Sequence, residues 1–211
     1  MLNKVKGKLI SFEGIDGSGK STQIKLLKEF FNESKRKAIF TREPGGTVEA
    51  ELIRRLILSK NKKVNFENKT EILLLLAARY EHFKKLIEPE ILKGKTIICD
   101  RFIDSTLAYQ CRGNIELEKF YFKTSKSLIK NFEPNLTILL DIPPSRALHR
   151  INKRKTTTNK YDEKDEYFFL NVRKTYTSLA KNNLRIKKFN ALEKKSILAD
   201  KIKKSILALI D

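Results

Sequence analysis

What this chain lacks narrows its class before any motif is read. It has only two cysteines, Cys99 and Cys111, which form neither a disulfide framework nor a metal-ligand pattern. Both are expected to be reduced, as in a cytoplasmic protein. Cys99, at the end of an apolar run, is expected to pack in the core and Cys111 to be exposed, with no chemical role for either. The two histidines, His82 and His149, fall on expected helices without metal-ligand neighbours, which leaves them surface or packing roles. No run of ~18 apolar residues occurs, so no helix is expected to span a membrane. The longest run, Ile72 to Ala78, is short and has charge on both sides. The first residues, Met1 to Lys8, lead directly into an expected strand, and no signal peptide is expected. Neither an internal repeat nor a Pro/Gly/Ser linker divides the 211 residues. They are expected to form one domain over 1–211, and a 40% hydrophobic content is enough for one sizeable core.

Acidic residues are also scarce: 25 against 45 Lys and Arg, a net charge of +20. Such a charge raises nucleic-acid binding as a function class. The lysines are spread along the whole chain, however, and no zinc-finger spacing, RNA-stacking motif or basic arm accompanies them. Joint richness in Lys, Asn and Ile is the bias expected of an AT-rich genome. Nucleic acid is therefore not expected as the main partner, though the positive field suits anionic nucleotides.

Against these absences stands Gly14-Ile-Asp-Gly-Ser-Gly19-Lys20-Ser21, the spacing of a phosphate-binding P-loop. Its glycines let backbone N–H groups curl round a di- or triphosphate. Lys20 is expected to reach the β- and γ-phosphates, and the Ser21 hydroxyl to hold Mg²⁺. The apolar run Leu9–Phe12 reads as a buried strand before the loop. Ser21–Phe31, with apolar residues at 24, 27, 30 and 31, reads as a helix whose positive dipole end faces the anion.

Further short apolar runs follow at Ala38–Thr41, Thr96–Asp100, Leu136–Ile142 and, weakly, Leu184–Phe189, separated by helix-length segments. This alternation predicts an α/β fold with a central five-stranded parallel sheet and helices on both faces. Ligands then bind at the carboxyl ends of the strands, where Glu13, Arg42-Glu43 and Asp100-Arg101 stand. Residues 150–166 are polar, basic then acidic, and without apolar periodicity. They read as a solvated loop or as a short lid that brings cations onto a phosphoryl group. Phosphoryl transfer needs positioned phosphates and positive charge. Arg42 and Arg101, each after an apolar strand beside the P-loop strand, suit an acceptor phosphate, because a guanidinium fork binds two oxygens at once. Asp100 is a candidate Mg²⁺ ligand or acceptor-orienting group, with an ion pair to Arg101 as its structural alternative.

Four segments in this order make the chain resemble the thymidylate kinase family: Phe12-Glu-Gly-Ile-Asp-Gly-Ser-Gly-Lys-Ser21, Thr41-Arg-Glu-Pro-Gly-Gly46, Asp100-Arg-Phe-Ile-Asp-Ser-Thr-Leu-Ala-Tyr-Gln110 and Leu139-Leu-Asp-Ile-Pro-Pro144. The resemblance covers nearly the whole chain and weakens over the final ~25 residues. It implies a P-loop NTPase fold and in-line transfer of the γ-phosphoryl of ATP to dTMP, with Mg²⁺ and in a homodimer. Gly14, Ile15, Asp16, Gly17, Ser18, Gly19, Lys20, Ser21, Thr22 and Arg150 are then expected at ATP, and Ser21 and Asp100 at the metal. Arg42 and Arg101 are implied to hold the dTMP phosphate, Asp16 the 3′-hydroxyl and Arg79, on a helix over Thr70–Ile87, the thymine. Ser105 and Thr106 are implied to line the base pocket, while Tyr109 gates the sugar 2′ position and Gln110 completes that wall. Lys20, Asp100, Arg101 and Arg154 are the expected catalytic residues. For Arg79 and Tyr109 ordinary packing is the alternative.

The chain departs from the family pattern twice. Where the family usually stacks an aromatic ring on the thymine, this chain has Leu75, so weaker or less selective base binding is expected. The P-loop has Gly17-Ser18 where one branch of the family has an arginine, which assigns the clamp on the transferring phosphoryl to lid arginines, first Arg154. The lid's usual Asp-Arg pair reads Asn159-Lys160, and a lysine lacks the fork. Three other readings remain at this stage. One is a related kinase acting on dUMP, UMP or a nucleoside; strand-end arginines favour a phosphate acceptor over a nucleoside. The second is a nucleotide switch, which needs an Asn-Lys-x-Asp-type segment where this chain has Asp141-Ile-Pro-Pro. The third is a charge-driven nucleic-acid binder, marked by steep salt dependence.

Overall fold

The structure is a computed structural model that describes residues 7–59, 61, 63–153 and 160–211. Strand β1 (Leu9–Glu13) leads through the glycine loop into α1 (Lys20–Glu33), followed by β2 (Ala38–Arg42), α2 (Val48–Ile57) and α3 (Asn68–His82). A π-helical turn (Phe83–Ile87) and α4 (Glu88–Leu92) carry the chain to β3 (Thr96–Asp100). Then come α5 (Ile103–Thr106), a second π-helical turn (Leu107–Cys111), α6 (Ile115–Ile129), β4 (Leu136–Asp141) and α7 (Pro144–Asn152). A 3₁₀ turn (Lys160–Glu163), α8 (Glu166–Asn182), β5 (Ile186–Asn190) and α9 (Lys195–Ile210) follow.

The strands form one sheet in the order β2-β3-β1-β4-β5, and every pairing is parallel. A central parallel strand must be apolar on both faces, and β1 is buried along its whole length. Alternate residues enter different cores. Leu9, Ile97 and Cys99 pack with Ile72 and Leu76 of α3 and with Tyr121 and Ile129 of α6. Ile10, Phe12 and Ile98 pack on the other face with Leu27 and Phe31 of α1, Val172 of α8 and Ile202 of α9. The edge strand β5 keeps Lys187 and Lys188 exposed, a composition that discourages further strand pairing.

This topology puts the P-loop after the central strand, with the ends of β2 and β3 on one side. The two expected arginines are not equivalent: β3 pairs directly with β1, whereas β2 pairs with β3 alone, with Arg42 in register with Asp100. The weakest expected strand starts later than its apolar run. Leu184 is fully exposed, because the chain turns between α8 and β5 and Ile186 N donates to Asn183 O. The helix expected over Thr70–Ile87 begins at Asn68 and gives way to a π-helical turn at Phe83. Cys111, expected at the surface, is buried against the α3–α6 core.

Candidate active site

Along the carboxyl edge of the sheet lies a cavity of about 290 Å³. It collects side chains from distant segments: Asp16, Lys20, Ser21 and Thr22; Arg42; Leu75 and Arg79; Asp100 and Arg101; Ser105, Thr106, Tyr109 and Gln110. Gly17 and Gly19 also reach it, whereas Gly14, Ile15, Ser18 and Arg150 do not line it.

One end is built from backbone. The first turn of α1 has no side-chain cap, and Gly19 enters it in the left-handed region at φ 98°. Its amide donors are therefore left for an anion. Gly17 has φ 78°, and a β-carbon there would meet Ala147 O at 2.5 Å, so only glycine lets the loop close against α7. Lys20 folds onto the loop and donates to Gly14 O at 3.0 Å and Ile15 O at 3.2 Å. Burial, reinforced by the charge of Arg101, lowers its pKa to about 8. An anion placed beside it would favour the protonated form. Behind the loop, the Arg150 guanidinium donates to Gly17 O (3.2 Å), Ser18 O (3.4 Å) and Ala191 O (3.0 Å), tying α7 and the segment after β5 to the phosphate loop. Ser18 Oγ and Asp100 Oδ1 are buried with no hydrogen-bond partner among the described residues. An acceptor of this kind beside an anion site suits a hard cation.

The other end is built from side chains. Arg101 adopts φ 69°, which costs of order 1–3 kcal/mol for a non-glycine residue. Its partners hold it there: Nη2 donates to Asp16 Oδ1 (2.8 Å) and to the Tyr109 hydroxyl (3.3 Å), and Nη1 to Gly14 O (3.2 Å), Ser105 Oγ (3.0 Å) and the Tyr176 hydroxyl (3.3 Å). The guanidinium also lies 4.9 Å from the Tyr109 ring centre. The Tyr109 hydroxyl donates to Asp16 Oδ2 at 2.9 Å. Burial alone would raise the Asp16 carboxyl, but Arg101 and Lys20 hold it below the usual carboxylate range. Beneath lies Glu13, fully buried, accepting from Phe102 N (2.7 Å), Ser105 Oγ (2.6 Å) and the Tyr176 hydroxyl (2.9 Å). Burial and the nearby charge of Asp104 raise its pKa to about 7 in spite of those donors.

Arg79, 2% exposed, is bonded along its whole fork: Nε to Glu43 (2.7 Å), Nη1 to Tyr121 (3.0 Å) and Nη2 to Thr106 (3.1 Å). Glu43 meets His82 Nδ1 at 3.0 Å, and His82 Nε2 meets Thr41 Oγ1 at 2.8 Å. His82 is therefore a buried structural partner of the site and not a surface residue. Gly46, at φ 90°, packs on that ring; a β-carbon there would lie 2.5 Å from it. Arg42, more than half exposed, pairs with Glu51, and its neighbour Arg54 donates to Pro44 O at 2.6 Å.

Gln110 donates to Glu71 and to the Tyr161 hydroxyl, both at 2.9 Å. Lys160, which stands where the family's lid arginine is usual, reaches Glu71 at 3.0 Å. Leu75, nearly buried, lines the same cavity. Arg154, the expected clamp, lies outside the described residues, as do Lys155 and Asn159.

Several participants were not singled out by sequence. Glu13 and Glu43 stand inside quoted motifs but take no expected role. Arg54 was findable as a basic residue one helix after the Arg-Glu-Pro-Gly-Gly turn. Glu71, Tyr161 and Tyr176 carry no local signal, because only the tertiary fold brings them against the residues that line the cavity.

The same combination of motifs and fold recurs in known proteins. The sequence model of the thymidylate kinase family matches residues 12–202. The chain is 42% identical over 186 residues to a thymidylate kinase of Orientia tsutsugamushi, covering 86% of this chain and 83% of that one. It is 41% identical over 202 residues to one of Buchnera aphidicola, covering 95% and 93%. The crystal structure of the thymidylate kinase of Ehrlichia chaffeensis superposes with a TM-score of 0.72 at 32% identity, covering 95% of this chain and 99% of that one. With a P-loop on the central strand, an arginine cluster facing it and these matches along nearly its whole length, the chain belongs to the thymidylate kinase family.

Proposed function

We propose that this chain transfers the γ-phosphoryl of ATP to dTMP, giving dTDP and ADP. One observation carries the reading: a P-loop and a second group of arginines, Arg42, Arg54 and Arg101, line a single cavity. A nucleoside triphosphate and a nucleoside monophosphate then meet end to end. A phosphate oxygen of dTMP forms the bond to the γ-phosphorus while the bond from that phosphorus to the β–γ bridging oxygen breaks, and ADP leaves. No covalent enzyme intermediate is needed.

In this reading Lys20 and the open turn of α1 hold the donor phosphates. Arg42 and Arg101 hold the acceptor phosphate and keep it in line. Asp16 and Tyr109, locked to Arg101, face the deoxyribose, and Arg79, Leu75, Ser105, Thr106 and Gln110 surround the base. Asp100 and Ser21 suit Mg²⁺, which when bound neutralises charge on the β- and γ-oxygens; the partnerless Asp100 Oδ1 supports that fit. We further propose a cytoplasmic homodimer. Leu52 and Leu56 of α2, Leu73 and Tyr80 of α3 and Phe122 of α6 are exposed apolar residues that support an interface. Light scattering at the mass of one 24.5 kDa chain would remove the dimer.

The direct test is ADP release from Mg-ATP with dTMP, dUMP, UMP, dCMP and thymidine offered separately. Turnover is expected to be highest with dTMP. Absence of turnover with every monophosphate overturns the reading.

A further inference from the structure

We infer that Glu71 is a positioning residue for base selection: it fixes the Gln110 amide so that its oxygen, and not its nitrogen, faces the acceptor base. The inference rests on reading the cavity as a nucleoside monophosphate site. Glu71 stands in the first turn of α3, is 8% exposed and appears in no motif that defines the site. Its Oε1 accepts from Gln110 Nε2 at 2.9 Å and from the Tyr161 hydroxyl, and its Oε2 accepts from the Lys160 ammonium at 3.0 Å. Because Tyr161 gives its proton to Glu71, its oxygen is an acceptor toward Gln110, and Nε2 donates to it at 2.9 Å.

The two ends of a glutamine amide are nearly alike in shape and differ in hydrogen bonding. A carboxylate only accepts. Flipping the Gln110 amide would set its oxygen against the acceptor-only Glu71 with their lone pairs facing each other, and Tyr161 could donate to the flipped oxygen only by giving up Glu71. The partners therefore dictate the orientation. Nε2 is thus held by two neighbouring acceptors, while Gln110 Oε1 takes no hydrogen bond among the described residues. Gln110, 5% exposed, lines the cavity together with Leu75, Arg79 and Thr106.

An acceptor oxygen in that wall selects a base edge that carries an N–H. Thymine and uracil offer an imino N3–H, whereas cytosine has a lone pair at the same ring nitrogen. Glu71 thus favours the first two bases over the third without touching any of them. Lys160 matters in the same way: its ammonium occupies Glu71 Oε2 and helps fix the carboxylate in place against Gln110.

The test is steady-state kinetics of the full chain and of Glu71→Gln with dTMP and dUMP as substrates, and with dCMP as a competitive inhibitor of dTMP turnover. Glutamine at position 71 both donates and accepts, so it frees Gln110 to flip. KM for dTMP and for dUMP is expected to rise about tenfold each, the usual worth of one hydrogen bond, with kcat little changed. The inhibition constant of dCMP is expected to stay level or fall. Tyr161→Phe removes one of the two acceptors that hold Nε2, and should move the same ratio in the same direction by a smaller factor; it decides the matter if Glu71→Gln does not fold. An equal weakening of all three nucleotides, or an unchanged dTMP to dCMP ratio in a folded, active variant, overturns the inference alone. Failure of the unsubstituted chain to turn over dTMP overturns the functional reading and this inference with it.

Discussion

The two ends of the cavity are built by different means. The donor end is one continuous loop whose glycines and open helix turn present backbone groups, an arrangement that suits a phosphate. The acceptor end is assembled from β1, α3, α5, its π-helical turn and α8 through side chains that bond one another before any ligand arrives. A backbone-built end is tolerant, because its geometry survives the loss of one side chain. A side-chain-built end is cooperative, because each charge removed leaves another buried without its partner. The two ends should therefore fail differently when broken.

The largest effect is expected at the donor end. Lys20→Met keeps the length of the side chain but removes the cation that the proposed function assigns to the donor phosphates. We expect kcat to fall by ~10³-fold or more, as for other groups that stabilise a transferring phosphoryl. The fold should lose nothing. Burial disfavours the Lys20 ammonium, as its lowered pKa of about 8 reflects, so thermal unfolding should occur at the same temperature or higher. A clear fall in Tm would show that the donor end depends on its side chains as much as the acceptor end does.

Glu43→Ala tests the opposite case. Removing this carboxylate strands the Arg79 guanidinium, 2% exposed, and takes a partner from the buried His82. Breaking a buried pair on one side costs ~3–5 kcal/mol. For a chain of this size that corresponds to a drop in Tm of roughly 6–20 °C. Among molecules that remain folded, KM for dTMP should rise more than kcat falls, because Arg79 no longer has a fixed fork. A Tm within a degree or two of the parent would mean that Arg79 finds other partners and that the acceptor end is not cooperative.

The same contrast explains what was legible from sequence. The P-loop is local, and its spacing alone gave the loop, the helix behind it and the ligand class. The sheet was legible because a central parallel strand must be apolar on both faces, as β1 and β4 are; β5 was misplaced by two residues because exposed Leu184 extends its apolar run. At the acceptor end, Arg42, Arg79, Arg101, Tyr109 and Gln110 were reached through motif resemblance, and the structure gathers them round one cavity. The groups that hold them, Glu71, Tyr161 and Tyr176, were not. Glu71 and Tyr161 are 90 positions apart, and nothing in the spacing of either predicts their contact. Cys111 was misjudged for a related reason: a helical residue's burial depends on which face its neighbours cover, and the π-helical turn that follows α5 shifts that face.

The smallest expected effect lies where the two ends meet. Glu13 ends the P-loop strand, yet its carboxylate accepts from Phe102 N and from Ser105 and Tyr176, two of the groups that surround Arg101. Burial and the charge of Asp104 raise its pKa from 4.5 to about 7. Between those two pH values the folded chain keeps a proton that the unfolded chain has released. The stabilisation is therefore complete below pH 4.5, declines as pH rises, and is spent above about pH 7, a change of at most a few kcal/mol. Glu13→Gln keeps the shape but cannot titrate. Subtracting the Tm of the variant from that of the parent cancels the titrating groups that do not interact with Glu13. That difference should be most favourable to the parent near pH 5 and least favourable near pH 8. A flat difference would mean that the three donors keep Glu13 ionised throughout. The link between the donor strand and Arg101 would then be a permanent charged contact, and the two ends of the cavity would respond to pH independently of each other.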